Sequence, residues 1–158
     1  MKDVIVRSIK EADYEFINTW WKDNKYDPPP RDLLPENGLH GLMICKDEKP
    51  IACTYLYLTN SKMGYCDYLI SNPNYKSKDR FKIITKLMIA AVETAYSIGV
   101  KDFWFITNNP SMVKRCKELD VHVSEGTYNL VLPLRYNKKG NVRERGFWKL
   151  KTNKYEKE

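Results

Sequence analysis

Residues 66–99 read CDYLISNPNYKSKDRFKIITKLMIAAVETAYSIG. The stretch divides into a strand, a polar loop and a long helix. Tyr65 to Ile70 is short, aromatic and aliphatic, and stops at Asn72-Pro73-Asn74, as a buried strand would. Apolar residues then recur at 81, 84, 87, 88, 91, 95 and 98, the spacing of a helix with one face to bury. Ser77 is the expected N-cap, and Gly99 stands where a helix closes in a left-handed residue. Between strand and helix, Lys76-Ser77-Lys78-Asp79-Arg80 gathers three cations at a helix N-terminus. Free backbone N–H groups, the positive end of the helix dipole and basic side chains together suit an anion, above all phosphate.

On the N-terminal side, residues 4–9 alternate as a first strand, and residues 11–24 follow as a helix with Phe16, Ile17, Trp20 and Trp21 on its apolar side. Asp27-Pro28-Pro29-Pro30 is expected to end that helix, because proline removes a donor and blocks continuation. Residues 31–39 make a stiff segment, a candidate cleft wall. Residues 39–46, 50–59 and 63–70 form an antiparallel meander joined by tight polar turns. It carries Tyr55 and Tyr57 on one face and Leu56 and Leu58 on the other. On the C-terminal side, residues 101–107 are a strand returning parallel to the strand before the long helix, by a right-handed crossover. A short helix over 112–119 and a closing hairpin over 121–123 and 127–134 complete the α/β chain.

The 158 residues suit one domain burying roughly two-thirds of its unfolded surface. No apolar run approaches the roughly 20 residues of a membrane span, and the N-terminus lacks a signal peptide's apolar core. A membrane role is therefore not expected, and the cytoplasm is the expected compartment. The four cysteines (45, 53, 66 and 116) are scattered, with only two histidines, so no metal site is expected. Cys45, Cys53 and Cys66 fall in apolar runs as small core residues. Of the net charge of +7, residues 135–158 carry nine Lys/Arg against three Asp/Glu. The body, residues 1–134, is nearly neutral. The tail, residues 135–158, is a basic extension, either an edge strand or a flexible arm. Its Tyr136, Phe147, Trp148 and Tyr155 sit among cations, a pattern that suits phosphate neutralisation with base stacking.

This order of elements resembles the GNAT (Gcn5-related N-acetyltransferase) fold over residues 3–134. The resemblance implies a mixed central sheet of about six or seven strands, an antiparallel meander and then a parallel pair, flanked by helices. It implies that coenzyme A lies where the fourth and fifth strands splay apart, with its diphosphate on the loop before the long helix. The family's loop reads roughly Val-x-Pro-x-x-Arg-Gly-x-Gly-x-Gly/Ala. Here Pro73 is kept, Lys76 stands at the arginine, and the glycines are missing, so side chains of Lys76, Ser77, Lys78 and Arg80 carry more of the expected phosphate binding. Asp79 adds a negative charge that Arg80 or Lys78 is expected to neutralise. Asn109 matches the family's asparagine after the fifth strand. Cys116 takes the position of a tyrosine that often protonates the departing thiolate, and Tyr128 is the other candidate donor. Trp20-Trp21, Leu34-Pro35, Gly38 and Ser71-Asn72-Pro73 are similar to short GNAT proteins of phage genomes, some of which modify DNA bases.

Acyl transfer to an amine needs a base, oxyanion donors and help for the thiolate. The resemblance assigns the donors to backbone N–H groups near Leu69 and Ile70. Asp67 is the candidate base. It is the only acid of its strand, expected on the same face as Ser71 and raised in pKa by apolar surroundings unless a cation pairs it. Glu36 is a weaker candidate. Trp20, Trp21, Tyr55, Tyr57, Tyr65 and Tyr68 are candidates either for an acceptor cleft or for the core. The resulting expectation is an acetyl-CoA-dependent transferase acting on an amine, small or macromolecular, by direct attack. The alternatives are a nucleic-acid modifying protein using the basic tail and a catalytically silent acyl-CoA-binding module. The acceptor and the oligomeric state are not legible.

Overall fold

The computed structural model describes residues 4–107, 109–118 and 122–124. The chain runs β1 (Val4–Ser8), α1 (Tyr14–Asp23), β2 (Gly41–Lys46), β3 (Lys49–Leu58), β4 (Met63–Ser71), α2 (Arg80–Ser97), β5 (Asp102–Phe105) and α3 (Pro110–Glu118). One sheet holds five strands in the order β1-β2-β3-β4-β5. The first four pair antiparallel and β4 pairs β5 in parallel. The described sheet therefore has five strands rather than six or seven. The further strands expected over 121–134, Tyr128 among them, the boundary at 134 and the basic tail lie outside the described residues, apart from 122–124, which form no strand.

The two faces of the sheet differ as the alternation requires. Tyr55, buried completely, joins Met43, Cys45, Cys53 and Ile70 against Ile17 and Trp20 of α1. The opposite face receives α2, whose Ile83, Ile84, Leu87, Met88, Ala91 and Ala95 are buried at helical spacing. Each large aliphatic side chain so buried contributes about 1.5–3 kcal/mol. The four cysteines are free and buried.

Helix ends show where local chemistry acts. Gly99 takes φ +90°, its N–H donates to Tyr96 O at 3.0 Å, and the Val100 N–H donates to Ala95 O at 3.1 Å. That reciprocal pair is a Schellman closure. α1 closes the same way on Lys25, at φ +63°, with the Tyr26 N–H donating to Trp21 O at 3.0 Å. The helix thus stops before Asp27 and the prolines that were expected to end it. Ahead of it, residues 11–13 form a separate 3-10 turn held by Asp13, which accepts from the Lys10 N–H at 2.8 Å and from both Arg7 Nη atoms. Asp47 and Glu48, both at positive φ, form the two-residue β2–β3 turn.

A parted strand pair and its cleft

β4 and β5 stay paired for only four positions, Met63 with Asp102 through Cys66 with Phe105. β4 then continues to Ser71 while β5 ends, so one edge of Asp67 through Ser71 opens. A cleft of about 470 Å3 occupies the gap. Its walls include Asp67 to Ser71 of β4 on one side and Phe105, Ile106, Asn109, Met112 and Arg115 on the other, and Trp21, Asn24, Tyr26 and Arg80 also line it. This is the wedge that the resemblance implied.

On its other edge, β4 is irregular where the cleft begins. Cys53 pairs with Ile70 but Tyr55 pairs with Asp67, so β4 carries one extra residue, a bulge at Tyr68 and Leu69. Tyr68 sits at φ +51°, a costly conformation for an aromatic residue. The Thr54 hydroxyl, buried beneath, donates to Asp67 O at 3.1 Å. The extra residue also corrects an expectation. Directly paired residues share a face, so Asp67 lies on the Tyr55 face and Ser71, paired with Ala52, lies on the α2 face. Four-residue spacing placed them together; the bulge separates them.

Asp67 is half-buried, and among the described residues no cation forms an ion pair with it. Its Oδ1 accepts from the Tyr68 N–H at 2.6 Å. Burial pushes its carboxyl above the usual range, and that hydrogen bond pulls part of the way back. Around it run the aromatic rings. Tyr57 and Tyr65 stack at 4.7 Å, Tyr57 meets Tyr68 at 6.3 Å, and Trp21 meets Tyr68 and Tyr26 edge-on at 6.0 and 6.1 Å. Burial, then the Asp67 charge, raises the phenols of Tyr65 and Tyr68. Trp20 and Tyr55 belong to the core instead. Glu36 is exposed, in a 3-10 turn, and lies 3.7 Å from His40 Nδ1. Leu69 and Ile70 line the cleft.

The loop from Asn72 to Asp79 is organised differently from its sequence reading. α2 begins at Arg80, with Asp79 at the cap position, so Ser77 is not the N-cap; it supplies its carbonyl to the Arg80 N–H at 3.1 Å. Asp79 is neutralised by neither Lys78 nor Arg80. Lys46 reaches it from β2 at 2.7 Å, and the Tyr75 hydroxyl donates at 2.7 Å. Lys46 first, then the side chains of Ser77 and Tyr75, hold its carboxyl far below the usual carboxylate range. Arg80 is a brace. Its guanidinium donates to Ser71 Oγ at 2.5 Å, Tyr75 O at 2.8 Å and Asn72 O at 3.1 Å. Lys76, Ser77 and Lys78 are exposed, and no hydrogen bond among the described residues engages their backbone N–H groups.

α3 closes the other wall. Asn109 caps it, its Oδ1 accepting from the Ser111 N–H at 2.9 Å, and lines the cleft. Cys116 is buried and not among the lining residues; burial pushes its thiol up against the pull of Arg115. α3 lines the cleft with Ser111, Met112 and Arg115, and of these the charged one, Arg115, is the residue that sequence reasoning missed. Its signal was a cation at Met112 plus three, on the helix's buried stripe beside Cys116. Among the described residues, no group of His, Cys, Asp and Glu is placed to hold a metal ion, and no helix is long and apolar enough to cross a membrane.

No protein-family model and no curated protein sequence matches the chain. Solved structures do match in fold. An aminoglycoside acetyltransferase from an uncultured soil metagenomic sample, in complex with sisomicin, superposes with a TM-score of 0.61 at 12% identity, over 84% of this chain and 97% of that one. A predicted acetyltransferase with acetyl-CoA from Clostridium acetobutylicum gives 0.56 at 12% identity, over 81% and 96%. N-acetylglutamate synthase from Neisseria gonorrhoeae, complexed with coenzyme A and N-acetyl-glutamate, gives 0.59 at 14% identity over 74% of this chain. The chain spans only 28% of that synthase's length. The fold is that of the GNAT acetyltransferases.

Proposed function

We propose that the chain transfers an acetyl group from acetyl-CoA to an amine by direct attack in a ternary complex. The parting of β4 from β5 after Cys66 carries the reading, because it opens a cleft lined by the Asp67 carboxylate and by Ser71 and Arg80, the residues that flank the loop of residues 72–79, none of which lines the cleft itself. In this reading the diphosphate rests on the backbone of Lys76, Ser77 and Lys78 at the α2 N-terminus, with both lysines neutralising it and Arg80 and Asp79 keeping the loop in shape. The pantetheine arm runs along β4. N–H groups at the bulge, near Leu69 and Ile70, receive the oxyanion.

The amine enters on the aromatic side, past Trp21, Tyr26 and Tyr68. Asp67 takes its proton as the N–C bond forms, and the C–S bond breaks as the tetrahedral intermediate collapses. The raised carboxyl suits a base. The leaving thiolate is protonated by Tyr128 or by solvent; Cys116, buried off the cleft lining, is the weaker donor. Aminoglycoside and glutamate acceptors of the fold's relatives make a small-molecule amine the first class to try. The nucleic-acid reading rests on residues 135–158 alone, and deleting them tests it through salt-sensitive DNA or RNA binding.

The decisive experiment is a native mass spectrum of the purified protein, searched for a co-purified acyl-CoA, followed by calorimetry with acetyl-CoA. Binding supports the reading. A chain that binds neither acetyl-CoA nor coenzyme A is not this transferase.

A further inference from the structure

Arg115 is 7% exposed, lines the cleft, and forms no ion pair among the described residues. Its Nε is buried without a hydrogen-bond partner, and its Nη1 meets only the thioether sulfur of Met112 at 3.2 Å. Its guanidinium carbon lies 4.4 Å over the Phe81 ring, in the first turn of α2. A ring face and a thioether satisfy little of a group with five N–H donors. The nearby charges act both ways, since Glu118, three residues on, attracts Arg115 without forming an ion pair with it among the described residues. Arg80 repels Arg115, and the partners of Arg80 are neutral oxygens. Asp79 is taken by Lys46 and Tyr75, and Glu118 lies 4.0 Å from Lys114. Burial and Arg80 both lower the Arg115 pKa. A buried cation without an anion is costly, so a site that keeps one is built to receive an anion from solution.

We propose that Arg115 is a clamp for the cofactor's diphosphate, gripping it from the α3 wall while the α2 N-terminus holds it from the other. This rests on the acetyl-CoA reading above and adds to it a residue and a mode of grip. The guanidinium fork matches two oxygens of one phosphate, which a lysine's point charge does not. It also answers the missing glycines. Where Cβ atoms at residues 76–78 keep the backbone from closing on a phosphate, a side chain from the facing wall completes the coordination.

The test uses the full chain with three ligands: acetyl-CoA, pantetheine, which has no diphosphate, and inorganic pyrophosphate. Arg115→Met keeps bulk and removes charge; Arg115→Lys keeps charge and removes the fork. Arg115→Met is expected to weaken acetyl-CoA binding by about 10- to 100-fold, the loss of a charge-assisted hydrogen bond, with Arg115→Lys between. Pantetheine affinity should not move. Without ligand, Arg115→Met should melt no lower than wild type, because it removes an unpaired buried charge. Equal acetyl-CoA affinity in wild type and Arg115→Met overturns the clamp. So does a variant that melts lower and loses pantetheine as well, the signature of a packing role. Should wild type bind neither acetyl-CoA nor coenzyme A, the transferase reading fails on its own, and the clamp is decided by pyrophosphate: binding that Arg115→Met loses supports it, and binding that is absent or unchanged overturns it.

Discussion

The two halves of β4 are one strand in two environments. From Gly64 to Cys66 it is paired on both edges, by β3 and by β5. From Asp67 to Ser71 it is bulged on the β3 edge and open on the other. The first half is architecture: Cys66 is buried, and burial pushes its thiol up to about 12, far from reactivity. The second half holds the unpaired carboxylate, the left-handed tyrosine and the cleft. In the proposed reading chemistry collects where backbone pairing has been given up, because only there can N–H groups and a carboxylate face a ligand instead of a neighbouring strand.

Substitutions should separate the halves. Asp67→Asn, in the open half, is expected to cut turnover by about 100- to 10,000-fold while acetyl-CoA affinity stays near wild type. Steady-state rates with calorimetry check it, and unchanged turnover removes Asp67 from the mechanism. Because the Asp67 carboxyl is raised, the acid limb of kcat/KM should fall above the ordinary aspartate range of about 3.9. The stability sign runs the other way from an ion-paired acid. The folded chain binds the Asp67 proton more tightly than the unfolded one, so ionisation costs stability as pH rises through the folded pKa, and Asp67→Asn should unfold slightly later at neutral pH.

Leu56→Ala tests the paired half. Leu56 faces Cys66 across the β3–β4 ladder and is 2% exposed. Its truncation should cost about 2–5 kcal/mol in denaturant unfolding. The cofactor affinity of the folded fraction should not change; a large change would mean that the halves are coupled. At the junction, Tyr68→Gly should be more stable than Tyr68→Ala by about 1 kcal/mol, since both lose the ring and only glycine relieves the left-handed backbone. Equal stabilities would show the bulge to be unstrained. The smallest effect is expected beyond the strand. The depressed Asp79 carboxyl contributes stability above its unfolded pKa and loses it as pH falls through the folded one. Lys46→Met should therefore flatten the acid limb of the stability curve, and the two curves should converge at low pH.

Much of the frame was legible because it is written in short-range periodicity. The Tyr55-Leu56-Tyr57-Leu58 alternation assigned both faces of β3, the aliphatic spacing placed the α2 stripe, and Gly99 marked its end. The candidate base was legible for the same reason, as the lone acid in an apolar strand. The bulge was not. One extra residue leaves no compositional mark, yet it moved Ser71 to the face opposite Asp67. The loop was half legible: its cations were visible, but their partners were not.

The sequence alone determined the elements and their order, the helical and strand faces, and a cluster of cations ahead of a long helix. Local preferences act between residues a few positions apart, and those residues are always near one another. Tertiary structure alone decided which charges are used up and which are left. Lys46 meets Asp79 across 33 positions of chain, Arg80 turns inward as a brace, and Arg115 is left in the wall of the cleft with no ion pair among the described residues. Electrostatics depends on distance and burial in three dimensions, and spacing along the chain carries neither.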